Sequence, residues 1–159
     1  CQESKLEKRL TQILEKLGYK SHPQHRYKEC KNKKPLPFDN AILEEGKVNI
    51  LIEMDGVQHF EQVKHFGGVE SYRKRIKHDT IKNKFCLENG KILVRISYLD
   101  IEKIETLIKQ AIKNRDEGIY DIIYSDPHLY QTAYFPTWKA YVCVITLQRK
   151  YKQYCLSRQ

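Results

Sequence analysis

The sequence is short of acid, of methionine and of long apolar stretches. Its 159 residues hold 29 lysines and arginines against 20 aspartates and glutamates, a formal net charge of +9. A basic surplus of this size favours a polyanionic partner, of which nucleic acid is the common one. The one methionine is Met54, and residue 1 is a cysteine; the expectation is a piece of a longer polypeptide with further domains. No apolar run approaches the ~20 residues of a spanning helix, and the opening CQESKLEKRL carries no apolar signal segment. An intracellular protein without a membrane partner is expected. Five cysteines, an odd count with no secretory context, argue for reduced thiols over a disulfide framework. His22, His25, Cys30 and Cys86 fit no tight zinc-ligand spacing.

What is present is enough for one globular domain. The apolar share is 40% and the charged share 31%, which is neither a membrane nor a disordered composition. Leu6, Leu10, Ile13, Leu14 and Leu17 form one helical stripe over residues 4–17, and Gly18 stops it. Residues 20–37, polar, basic and broken by Pro23, Pro35 and Pro37, read as a loop with a short strand near residues 24–28. Phe38 to Leu43 is a short apolar stretch, and Glu44 to Lys47 reads as a hairpin turn. Val48 to Asp55 is nearly continuous in apolar residues, as in a strand buried on both faces. A loop over 61–68, a helix over 69–88, a second buried strand over 91–98 and a helix over 100–114 follow. This order predicts an α/β fold, a central mixed β-sheet flanked by helices. The core is expected to span residues 1–118. Residues 119–159 form a tyrosine-rich extension, with Trp138, expected to pack on the core or on a missing domain.

Acidic residues inside buried strands are the anomaly, because an unpaired buried carboxylate costs several kcal/mol. Glu53 and Asp55 lie at i and i+2, hence on one face, and a hairpin would lay Asp39 alongside. Taken singly, each reads as a solvated strand-end acid. Together, Asp39, Glu53 and Asp55 suit a hard cation such as Mg²⁺ or Mn²⁺. His59, just past Gly56, has the side chain for a general base near neutral pH; alone it is a loop histidine. Asp79 either orients His59 or pairs with Lys82 on its own helix. Glu7 either reaches the metal site or closes a capping box with Ser4, and Glu3 projects towards the same face.

The series Ser4-x-x-Glu7, Leu36-Pro37-Phe38-Asp39-Asn40, Ile52-Glu53-Met54-Asp55-Gly56-x-Gln58-His59-Phe60, His78-Asp79-x-Ile81-Lys82-Asn83 and Leu93-Val94-Arg95-Ile96-x-Tyr98 resembles the nucleases related to very short patch repair endonuclease. More closely it resembles the phage and viral homing-endonuclease branch marked by a glutamate, an aspartate, a histidine and a final aspartate. Both belong to the restriction-endonuclease-like, PD-(D/E)xK superfamily. The resemblance covers roughly residues 4–112. It implies a restriction-endonuclease-like core and a metal-dependent endonuclease acting on DNA. It makes Asp39 the principal metal ligand, Glu7 a helix-borne acid, His59 the general base or acid and Asp79 its support. Met54-Asp55 departs from the family pattern, since Asp55 stands where the superfamily usually keeps a lysine; Lys82 is the nearest substitute in sequence.

Two basic stretches suit phosphate contact. One runs from Arg26 to Lys34. The other holds Lys64, Arg73, Lys74, Arg75, Lys77 and Lys82, and a solvated helix face explains it about as well. The sequence keeps two alternatives open: a catalytically inactive nucleic-acid-binding module on the same fold, and an RNA-directed nuclease. Whether two copies pair, as a symmetric double-strand break would want, is also open.

Overall fold

The computed structural model describes residues 5–61 and 68–134. The chain is α/β. Helix α1 spans Lys5–Lys16 and buries Leu10 and Leu14 completely. Gly18, at φ +82°, ends it in a left-handed residue that favours glycine. The Gly18 N–H donates to the Glu15 carbonyl and the Tyr19 N–H to the Leu14 carbonyl, the paired closure of a Schellman cap.

Among the described residues, seven strands follow in two sheets. Strands β1 (Lys20–Ser21), β4 (Asn40–Glu44), β5 (Lys47–Asp55), β6 (Ile92–Ser97) and β7 (Ile122–Tyr124) form a mixed five-stranded sheet in the order β1-β4-β5-β6-β7. The β4–β5 hairpin turns on Glu45 and Gly46, both with positive φ, as a two-residue hairpin turn matched to strand twist requires. β5 pairs antiparallel with β4 and parallel with β6, and β6 pairs parallel with β7. A parallel pair needs a crossover. Helix α2 (Gly68–Glu88) supplies it between β5 and β6, and helix α3 (Ile104–Asp116), entered through a 3₁₀ turn at Ile101–Lys103, supplies it between β6 and β7.

The two sheet faces carry separate cores. Ile50, Ile52, Val94 and Ile96 pack with Leu10 and Leu14 of α1 and Ile104 and Ile108 of α3. On the other face Leu51 and Leu93 pack with Phe85, Cys86 and Leu87 of α2 and with Phe38. Strand alternation then puts Glu53 and Asp55 on the α2 face, since they share the parity of Leu51.

The region expected as a loop, residues 20–37, is largely strand. Besides β1, it holds β2 (His25–Lys31) and most of β3 (Pro35–Phe38), paired as an antiparallel ribbon. The prolines concealed it. In Pro35-Leu36-Pro37-Phe38 they alternate with buried residues, a strand pattern, and proline is tolerated at a sheet edge. The folded unit also continues past the expected boundary at residue 118. β7 and helix α4 (Pro127–Tyr134) belong to it, and Tyr130 is buried. Trp138 and the rest of the expected extension lie outside the described residues. No helix among the described residues is long and apolar enough to cross a membrane.

Candidate active site at the end of β5

The carboxyl end of β5 meets α2 in a buried polar cluster, and it has two halves. In the first, Asp39 sits in the bend between β3 and β4. Its Oδ2 accepts the Met54 N–H at 2.8 Å, tying it to β5. Burial raises the pKa of Asp39; the Met54 N–H and Lys82 oppose the rise, while Asp55 and Glu7 add to it. Glu7 of α1 is the smallest of these influences on Asp39. Glu53 is buried, and Lys82 Nζ donates to both of its oxygens at 2.8 Å. Burial pushes the Glu53 carboxyl up to about 8 against the pull of Lys82, with Asp39 pushing the same way. The acid–lysine contact and the raised value pull in opposite directions; the direction is set by burial beside Asp39 and Asp55.

The second half is organised by Arg95 of β6, which is fully buried. Its Nε and Nη2 grip Asp55 Oδ2 and Oδ1 at 2.9 and 2.8 Å, its Nη2 lies 3.0 Å from Asp79 Oδ1, and its Nη1 donates to Asn83 Oδ1 at 3.0 Å. Tyr130 of α4 donates its hydroxyl to Asp55 Oδ2 at 2.8 Å. His59 lies in a 3₁₀ turn, Val57–His59. Its Nδ1 is 2.8 Å from Asp79 Oδ2 and 3.2 Å from Asp55 Oδ1. Two acids at Nδ1 favour the tautomer protonated there, leaving Nε2, across the ring, as the acceptor. Burial pushes Asp79 up, but Arg95 and His59 more than reverse it and hold the carboxyl well below its ordinary value.

The turn bearing His59 is itself held. Arg75 Nη1 donates to the Gln58 carbonyl at 2.9 Å, and Phe60 packs edge-to-face on Tyr130 with ring centroids 4.9 Å apart. A Cβ at Gly56 would come within 2.5 Å of the Gln58 side chain, which folds over it.

Asp39 and Glu53 offer carboxylate oxygens of the kind a hard cation takes, but both Glu53 oxygens already accept from Lys82 Nζ, and among the described residues no group of three ligand atoms forms around Asp39. Asp55, expected as a third ligand beside Asp39 and Glu53, is differently placed. Both of its oxygens are engaged by Arg95, Tyr130 and His59. Asp55, His59 and Asp79 do bring ligand atoms within 4.8 Å of one another. The Arg95 guanidinium already fills the cation's place there, and a second buried positive charge would be repelled.

Of the phosphate-contact residues, Arg73, Lys74 and Lys77 are exposed on α2. Arg75 is spent on Gln58. Lys82 corrects the expectation of a surface lysine: it faces inward onto Glu53, which also rules out its pairing with Asp79. Lys64 and Glu3 lie outside the described residues. The sequence reading gave Arg95 and Tyr130 no role. The signal for Arg95 was present, an arginine inside the apolar run Ile92–Ile96. Tyr130 carried none. Comparison with family models, with curated proteins and with solved structures gave no match.

Proposed function

We propose that the chain is a metal-dependent endonuclease of the restriction-endonuclease-like superfamily, hydrolysing phosphodiester bonds of DNA. The observation that supports this most is the excess of buried carboxylates beside one histidine whose Nδ1 is fixed by acids. Such an arrangement is costly for folding alone and useful for hydrolysis at a phosphate. The sequence resemblance to the homing-endonuclease branch points the same way.

Asp39 and Glu53, with Glu7, would hold Mg²⁺ or Mn²⁺, which when bound supplies Lewis-acid polarisation of the phosphodiester and offsets transition-state charge. His59 Nε2 takes the proton of an attacking water or returns one to the leaving oxygen as the phosphorus–oxygen bond breaks. Asp79 and Asp55 orient the ring through Nδ1, as an acid behind a histidine does. Arg95 keeps Asp79 ionised and grips both oxygens of Asp55. Lys82 places a positive charge in the cluster and takes the part of the lysine that the superfamily keeps at the position of Asp55.

Supercoiled plasmid tests the reading. The chain should nick or linearise it with Mg²⁺ or Mn²⁺, should stop in EDTA, and should lose activity on Asp39→Asn and on His59→Gln. A specific observation favours the rival, an inactive binding module: Lys82 occupies both Glu53 oxygens. DNA binding with no cleavage in either metal would establish that rival.

A further inference from the structure

A groove of about 850 Å³ runs between the β2–β3 ribbon and the N-terminal half of α2. Arg26, Lys33 and Lys34 line it from the ribbon, and Arg73, Lys74 and Lys77 from the helix; Glu70 is the one acid in its lining. All six cations are exposed. Arg73, Lys74 and Lys77 lie on the side of α2 away from buried Asp79, Lys82 and Asn83, and Arg26 Nη1 also donates to the Pro35 carbonyl. His78 and Asn32 also line the groove, and Asn32 Nδ2 lies 3.1 Å from His78 Nε2. That contact latches ribbon to helix and fixes the distance between the two basic walls. Burial, then Lys74, lowers the His78 pKa, which keeps its Nε2 an acceptor for the Asn32 amide.

The groove's lining neighbours the cluster in sequence at two points. Pro37, which lines it, stands two residues before Asp39, and His78 immediately precedes Asp79. Among the described residues, no phenylalanine, tyrosine or tryptophan lines it. Proteins that hold single strands stack bases on such rings, whereas lysine and arginine without them follow phosphates and read no bases.

We infer that this groove seats the sugar–phosphate backbone of one strand of double-stranded DNA. The choice of DNA rests on the nuclease reading; the preference for a duplex backbone rests on the groove's own lining.

Binding of a fluorescein-labelled 20-base-pair duplex, measured by anisotropy in EDTA so that no cleavage intervenes, tests it. Six phosphate contacts predict that log K falls with log salt at a slope of about −5, at ~0.9 per contact. Neutralising one wall, as Arg73→Gln/Lys74→Gln/Lys77→Gln or Arg26→Gln/Lys33→Gln/Lys34→Gln, should flatten that slope by about 2.7 and weaken binding at least about tenfold at 100 mM salt. A control with the same charge loss, Lys16→Gln/Lys109→Gln/Lys113→Gln, should leave slope and affinity nearly unchanged. An equal loss in the control would overturn the groove and leave only net charge. Tighter binding of single strands or of duplex RNA would overturn it too. Plasmid cleavage that persists while both wall variants bind normally removes the groove and spares the nuclease. Groove-dependent binding without cleavage in Mg²⁺ or Mn²⁺ removes the nuclease and spares the groove.

Discussion

Glu53 and Asp55 leave the same face of the same strand two residues apart, yet their surroundings differ. Asp55 is gripped by a bidentate arginine, a tyrosine hydroxyl and a histidine. Glu53 has one flexible lysine and, close by, the half-buried Asp39, whose carboxylate accepts a backbone N–H. The Arg95 half is held by a rigid planar guanidinium that engages two acids, and the Asp39 half by one flexible ammonium. The rigid network fixes geometry, whereas the flexible contact can give way to another cation. Under the proposed function the proton-handling groups belong to the Arg95 half and the metal ligands to the Asp39 half.

The largest effect should come from breaking the Arg95 half. Arg95→Met leaves Asp55 and Asp79 buried without their cation, and should cost about 3–5 kcal/mol of stability in urea denaturation. A loss below about 1 kcal/mol would mean that the acids find water or each other, and that the two halves are not distinct. Asp39→Asn should do the reverse. Stability should hold or rise slightly, because a desolvated acid is removed. Plasmid cleavage should fall by about 10²–10³, the scale of several kcal/mol of transition-state stabilisation. Tyr130→Phe removes one hydrogen bond to an ionised group and should cost about 1.5–3 kcal/mol while leaving metal binding intact.

The smallest effect has the clearest sign. Asp79 has a folded pKa below its ordinary value, so its stabilisation is complete above about pH 4 and is lost as pH falls through the folded value. Glu53 has a folded pKa raised from 4.5 to about 8. Its contribution is complete below pH 4.5 and is lost as pH rises through about 8. Stability curves should therefore respond on opposite sides: Asp79→Asn should lessen the fall in acid, and Glu53→Gln should lessen the fall towards alkaline pH. The same side of the curve changed in both variants would erase the contrast.

Much of this was legible in the residues. The strand Val48–Asp55, the hairpin before it, the helix after it and the three helices of the core follow from apolar spacing and from Gly18 and Gly46. The anomaly of acids inside an apolar strand pointed to Asp39, Glu53 and Asp55 as a group. What the sequence concealed was partnership. Lys82 stands three residues after Asp79, within one helix's reach, but its partner is 29 residues earlier, across the β5–α2 packing. Whether Asp55 faces a metal or an arginine depends on the β5–β6 register, which sets Glu53 opposite Arg95. Tyr130 reaches Asp55 from 75 residues away, at a distance where no local pattern speaks. The β2–β3 ribbon was concealed by its prolines.

The account turns on where a divalent ion binds, and a calorimetric titration with Mn²⁺ reads that directly. Wild type should bind, Asp39→Asn should lose at least about a hundredfold in affinity, as removal of a direct ligand exceeds the ~10–100-fold of a supporting residue, and Tyr130→Phe should bind as wild type does. Undiminished binding in Asp39→Asn, with binding abolished in Asp79→Asn, would place the ion among Asp55, His59 and Asp79 and contradict the division of the cluster into a metal half and a proton half.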